Sequence, residues 1–179
     1  MKRQFTPQRL DVRAFAEDAA ELSGSEPMTA FKRLADEARA SIQDREVTWS
    51  AEGELRNPGH VQPEAWLHLQ ADAMLPMTCQ RCLEPVEVRL EVDRTFRFVA
   101  DEATAAAEDD DSEEDLLAIS RAFDLPALIE DELLMEVPVV PRHEVCPNEV
   151  PLSAADADFV EATPEHPFAA LKVLKGGGS

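Results

Sequence analysis

Residues 86–98 read VEVRLEVDRTFRF, and their alternation decides the fold class. Val86, Val88, Leu90, Val92, Phe96 and Phe98 fall on one face of an extended chain, and Glu87, Arg89, Glu91, Asp93 and Arg97 fall on the other. An aliphatic and aromatic face backed by a charged one belongs to a strand with one side against a core. Arg94 breaks the pattern: it occupies the inward register, so either a bulge turns it outward or it is buried and needs a partner.

The same period runs upstream. Val47, Trp49, Ala51 and Leu55 alternate with Thr48, Ser50, Glu52 and Glu54. After the turn signal Asn57-Pro58-Gly59, a second strand passes through Leu67, Leu69, Ala71 and Ala73. Three successive strands with short connections predict an α+β fold: an antiparallel sheet, or a small partly open β-barrel, covered by a few helices.

Helical period flanks these strands. Val12, Phe15 and Ala19 lie about a turn apart before a break at Ser23-Gly24-Ser25. A stronger pattern from Met28 to Asp44 puts Phe31, Leu34, Ala35, Ala38 and Ile42 on one stripe, with Ser25 as N-cap and Pro27 in the first turn. Residues 1–46 thus read as a helical segment packed on a main domain of residues 47–175. Beyond the strands, Asp124 caps a helix carrying Leu125, Leu128, Ile129 and Leu133, with Pro126 in its first turn and Pro138 at its end. At 100° per residue Glu132 falls inside that apolar stripe, so we expect it to meet Arg94 as a structural ion pair. Pro138-Val139-Val140-Pro141 reads as extended, and Phe168, Leu171 and Leu174 as one docked helical turn. Gly176-Gly177-Gly178-Ser179 is a flexible tail.

Net charge is −20 over 179 residues, unevenly spread. Residues 1–100 hold 13 Lys+Arg against 17 Asp+Glu, or −4, whereas residues 101–179 hold 4 against 20, or −16. Phosphate binding draws on Lys and Arg, so any polyanion contact belongs in the first half. Residues 101–115 carry nine acidic side chains and no basic one, which reads as a mobile loop. The start lacks the apolar run of a signal peptide, and no stretch is long enough to span a membrane; a soluble cytoplasmic protein whose cysteines are reduced or bound to metal is expected.

Cys79-Gln80-Arg81-Cys82 is the most specific local signal. Two thiolates three positions apart in a turn can hold one zinc ion, with His143 and Cys146 as a second pair of ligands. A redox dithiol would open a helix, but here Pro85 and an alternating strand follow. The plain alternative is a pair of packed, unliganded cysteines. Arg81, Arg89 and Arg97 are candidates for a phosphate-facing patch, although on composition alone the face they share reads as a mixed-charge solvated strand. No catalytic set emerges: there is no phosphate loop, no GxSxG and no HExxH. Glu130, Asp131 and Glu132 have no adjacent base or nucleophile, and His60, His68, His143 and His166 are scattered.

Three segments together resemble the YceD family of large ribosomal RNA subunit accumulation proteins: Cys79–Cys82 followed by a strand, the block DLPALIEDELLMEVPVVPRHEVC from Asp124 to Cys146, and HPFAAL from His166 to Leu171. The resemblance spans roughly residues 47–174. It implies a non-enzymatic role in the synthesis, processing or stability of the large-subunit (23S) ribosomal RNA. The implied partner is that RNA or its precursor particle; a basic ribosomal protein or assembly factor, met by an acidic adaptor, is the alternative. Some relatives resemble one another in carrying a CPxCG pair. Here Cys146-Pro147-Asn148-Glu149 keeps its first cysteine and has Glu149 at the second, so His143 or Glu149 would complete a metal site.

Overall fold

In the computed structural model, residues 3–148 are described, apart from His60 and Gln62. The three alternating segments form strands β2 (Glu46–Arg56), β3 (Glu64–Thr78) and β4 (Pro85–Val99), joined antiparallel. Two further strands extend the sheet. β1 (Glu21–Pro27) pairs antiparallel with β2, and β5 (Asp115–Ala118) runs parallel to β4, giving a five-stranded mixed sheet in chain order β1 to β5, open rather than closed into a barrel. Four short helices complete the α+β architecture: α1 (Val12–Glu17), α2 (Lys32–Glu37), α3 (Glu102–Glu108) and α4 (Leu125–Met135). No helix among the described residues is long and apolar enough to cross a membrane.

The core lies on the inner face of the sheet. Val47, Ala51, Leu67, Leu69, Leu75, Leu90 and Phe96 point inward. Phe15 of α1, Leu34 of α2 and Leu125, Ile129 and Leu133 of α4 close over them, each almost wholly buried. β4 keeps its register through Leu69↔Arg94, so no bulge expels Arg94. The close fit of α1 requires Gly53 on β2. A methyl group there would sit 2.6 Å from Phe15 Cδ1 and 2.8 Å from its carbonyl oxygen.

The N-terminal third differs from the sequence expectation. The stretch around Ser23-Gly24-Ser25, expected as a break between helices, is strand β1, and Ser25 caps no helix but donates its hydroxyl to Glu46. Gly24 suits this place because the Trp49 ring lies flat against it, leaving no room for a Cβ. The helix expected from Met28 to Asp44 contracts to a 3₁₀ turn, Met28–Ala30, and α2. Ala38 turns extended, and the Arg39 amide donates to Pro76 O on β3 (2.8 Å), so a sheet partner replaces the next helical bond.

The acidic segment 101–115, expected as a mobile loop, instead forms α3, a 3₁₀ turn at Asp109–Asp111 and the start of β5. Asp101 caps α3, accepting from the Thr104 amide (2.8 Å) and hydroxyl (2.9 Å), which hold its carboxyl below the usual range. The alanines that looked like spacers are strong helix formers, and Ala105 is buried. α4 follows its expected signals: the Asp124 side chain accepts from the Ala127 amide, and Pro126 lies in the first turn. The segment before α4 is tied to the N-terminus, since Leu10 and Phe123 exchange backbone hydrogen bonds of 2.8 and 2.9 Å and Val12 N donates to Ser120 O (3.1 Å). The docked turn expected at Phe168, Leu171 and Leu174 lies outside the described residues.

Gly53→Ala is expected to lower unfolding free energy by about 2 kcal/mol, because the added methyl meets backbone that cannot yield. Urea denaturation measures this, and an unchanged midpoint would show that α1 docks more loosely than described.

Candidate functional site

The tight turn joining β3 to β4 holds the paired cysteines. Cys79 N donates to Glu84 O and Leu83 N to Cys79 O (both 2.9 Å), while Leu83 takes a left-handed φ of 61°. This folds Cys79 and Cys82 onto one side of the turn. The chain after α4 then returns alongside, and Gln80 N donates to Pro141 O (2.8 Å). His143 and Cys146 are thereby brought to the paired cysteines, although more than 60 residues separate them in sequence, and the four ligand atoms all lie within 4.8 Å of one another.

The geometry fits a tetrahedral zinc ion. Bond lengths of about 2.3 Å to sulfur and 2.0–2.1 Å to nitrogen imply tetrahedral edges of about 3.8 Å between two sulfurs and about 3.6 Å between sulfur and nitrogen. Cys79 Sγ lies 3.9 Å from Cys146 Sγ, and Cys82 Sγ lies 3.4 Å from His143 Nδ1. His143 Nε2 is 2.9 Å from Pro85 O, an acceptor, so the ring proton belongs on Nε2 and the Nδ1 lone pair faces the sulfurs. Arg81 Nε donates to Cys146 Sγ (3.0 Å), and its Nη2 donates to the carbonyl oxygens of His143 (2.9 Å) and Glu144 (3.3 Å).

Burial pushes the Cys79 thiol up, but backbone amides of Cys82, His143 and Arg81 outweigh it and bring the group down to about 5. Burial and the neighbouring thiols push Cys82 up to about 11. A cluster that strains to hold more than one thiolate is one a divalent cation would relieve. Glu149, the other candidate fourth ligand, lies outside the described residues.

The three candidate phosphate-binding arginines do not converge. Arg81 is engaged with the cysteine cluster. Arg89 bonds Asp72 (2.8 Å) and Glu91 (3.0 Å), and Arg97 bonds Glu108 of α3 (3.1 Å). Arg89 and Arg97 share the outer face of β4, but eight residues of strand set them about 26 Å apart.

The carboxylate run of α4 is occupied in packing. Glu130 Oε1 accepts from the backbone amides of Arg33 (2.7 Å) and Leu34 (3.3 Å), capping α2 from across the fold, and Asp131 pairs with the Arg33 side chain. Nothing in the local sequence signals this cap. The α2 N-cap position is Phe31, which offers no acceptor, so the need for one is visible only once the two helices are adjacent. Glu132 is buried with Oε2 3.9 Å from Arg94 Nε, and the half-exposed Arg94 also reaches Asp115 (3.8 Å) and Glu136 (3.6 Å). His68 pairs with Asp93 (2.6 Å) on the outer sheet face, opposite Thr95, and His60 and His166 lie outside the described residues.

Burial raises the Glu132 pKa, which Arg94 opposes. A carboxyl raised in the folded state binds its proton more tightly there than in the unfolded chain, so its ionisation near neutral pH works against folding and the effect fades as pH falls through its folded pKa. At pH 7 Glu132→Gln should stay within about 0.5 kcal/mol of the parent or gain stability, whereas Arg94→Met should lose about 1–2 kcal/mol, less than a fully buried pair because Arg94 is half-exposed. Equal losses in the two variants, by urea denaturation, would mean that the ion pair itself stabilises the fold.

No curated protein and no solved structure shows a significant match to the chain. The family model described as "Large ribosomal RNA subunit accumulation protein YceD" matches residues 67–175. The match begins inside β3, runs through the cysteine turn, β4, α3, β5 and α4, and takes in His143 and Cys146. It covers more than half of the sequence, and the chain belongs to the YceD family of large ribosomal RNA subunit accumulation proteins.

Proposed function

We propose that the protein supports large-subunit ribosomal RNA accumulation in the cytoplasm as a non-enzymatic adaptor, joining the precursor particle by docking a basic protein on the outer face of its sheet. The charge of that face carries the reading. β2 contributes Glu46, Glu52 and Glu54, β3 contributes Asp72, and β4 contributes Glu87, Glu91 and Asp93. Against them stand Arg56, Arg89 and Arg97, with Arg45 reaching Glu87 from the loop before β2, each already bonded to a carboxylate, so the carboxylates of the face outnumber the cations. A shallow groove of about 450 Å³ crosses this face, with Asp72, Glu91 and Asp93 among its walls. Such a field repels phosphate and attracts lysine- and arginine-rich segments. Direct RNA binding through Arg81, Arg89 and Arg97 fits less well, because all three are engaged.

In the variant Glu52→Lys/Glu91→Lys/Asp93→Lys, co-sedimentation with large-subunit precursor particles should weaken about tenfold. Retention equal to the parent would refute docking through this face.

The cysteine turn has a separate, structural task in this proposal: Cys79, Cys82, His143 and Cys146 hold one zinc ion that fastens the segment after α4 to the β3–β4 turn. The His143 tautomer and the donor spacings support it. Protein purified without chelator should contain one zinc per chain, and Cys82→Ser should lose most of it and unfold more readily. No metal by native mass spectrometry, with three free thiols titrating in the unfolded protein, would leave these as ordinary packed cysteines.

A further inference from the structure

Most cations of the described sheet and helices are neutralised by a neighbouring carboxylate. Arg13 on α1 and Arg121 in the segment before α4 are exceptions, exposed and with no carboxylate within 4.0 Å among the described residues. They are 108 positions apart in sequence, yet both line one open groove of about 570 Å³ together with Arg3, Ser120 and Ile119. The backbone bonds of Leu10 with Phe123 and of Val12 with Ser120 bring the two segments together. The carboxylates facing the groove are Asp11, engaged in capping the Ala14 amide (3.1 Å), and Glu17, 3.3 Å from Arg3. Ser120 Oγ accepts from the Ala122 amide (3.1 Å) and keeps its own proton free to donate. Arg13 and Ile119 also line an adjoining groove with Thr104, Glu64 and the Arg97–Glu108 pair, so the cationic stretch ends at α1.

We propose that this groove is an RNA contact, in which Arg13 and Arg121 each take a backbone phosphate and Ser120 donates to a phosphate or ribose oxygen. The inference rests on the family's role in ribosomal RNA accumulation and is independent of adaptor docking on the outer face. Net charge does not forbid it. The carboxylates that line this groove are engaged with the Ala14 amide and with Arg3, and at physiological salt the Debye length of about 8 Å weakens the pull of exposed carboxylates farther away. Two guanidiniums that owe no charge to a neighbour can take phosphates without breaking a pair, whereas Arg89 and Arg97 would first have to leave theirs.

The test is binding of the full chain to a folded fragment of large-subunit ribosomal RNA, followed by fluorescence anisotropy at several salt concentrations. The parent should bind, and Arg13→Gln/Arg121→Gln should bind about tenfold or more weakly, with a logarithmic salt slope lower by about 1.5–2. Both side chains are exposed and lack ion-pair partners, so the variant should keep the parent's circular dichroism and unfolding midpoint. Unchanged affinity and slope, or no RNA binding by the parent, overturns the proposal. Equal binding of polyglutamate, lost in the same variant, also overturns it and assigns the groove to an acidic protein instead. The outer-face lysine variant distinguishes the two ideas: its RNA binding should match or exceed the parent's even if adaptor docking proves wrong.

Discussion

β3 and β4 hold an unbroken antiparallel register from Ala65↔Phe98 to Thr78↔Pro85, and this pairing sets the inward or outward direction of side chains along both strands. Because a strand's side chains alternate, a slip of β4 by one residue would send Leu90 and Phe96 to solvent and bring Glu91 and Asp93 into the core. The same register carries its two ends to functional places. At one end the hairpin closes through Cys79 and Cys82; at the other, β4 runs on into α3 and the parallel β5. Neither the donor cluster nor the acidic outer face exists without that alignment.

Much of this was legible from residues alone. The alternation of 86–98 locates β4, and Asp124 with Pro126 marks the start of α4, because these signals are local: a two-residue period, a cap and a proline. Glu132 could be placed inside an apolar stripe by angle, and it is buried near Arg94. What escaped reading depended on distant partners. β1 contains Ser-Gly-Ser, poor in strand formers, and exists because β2 offers it a ladder and Trp49 needs the flat surface of Gly24. α2 stops short because Pro76 supplies an acceptor that the helix would otherwise provide. In α3 an acidic composition masks the helix propensity of the alanines and the Asp101 cap.

The candidate site divides along the same line. The CxxC spacing announces itself within four residues, whereas the orientation of His143 depends on a carbonyl at Pro85 that only folding brings near. A charge count does not say which cations are free: many arginines of residues 1–100 are committed to carboxylates, whereas Arg121 of the acidic half lines the same groove as Arg13. Local freedom of a cation, rather than the balance of the segment that carries it, decides what it can meet.

The backbone bridge between Leu10 and Phe123 sets an order of events during synthesis. Residues 10–12 leave the ribosome early, but their hydrogen-bond partners at Ser120 and Phe123 are more than 100 residues behind. At about 5–20 residues per second, the first helix waits on the order of ten seconds for the segment that fixes it. The segment around α1 is therefore without these partners until most of the sheet has been made, and it spends that interval next to the translating ribosome.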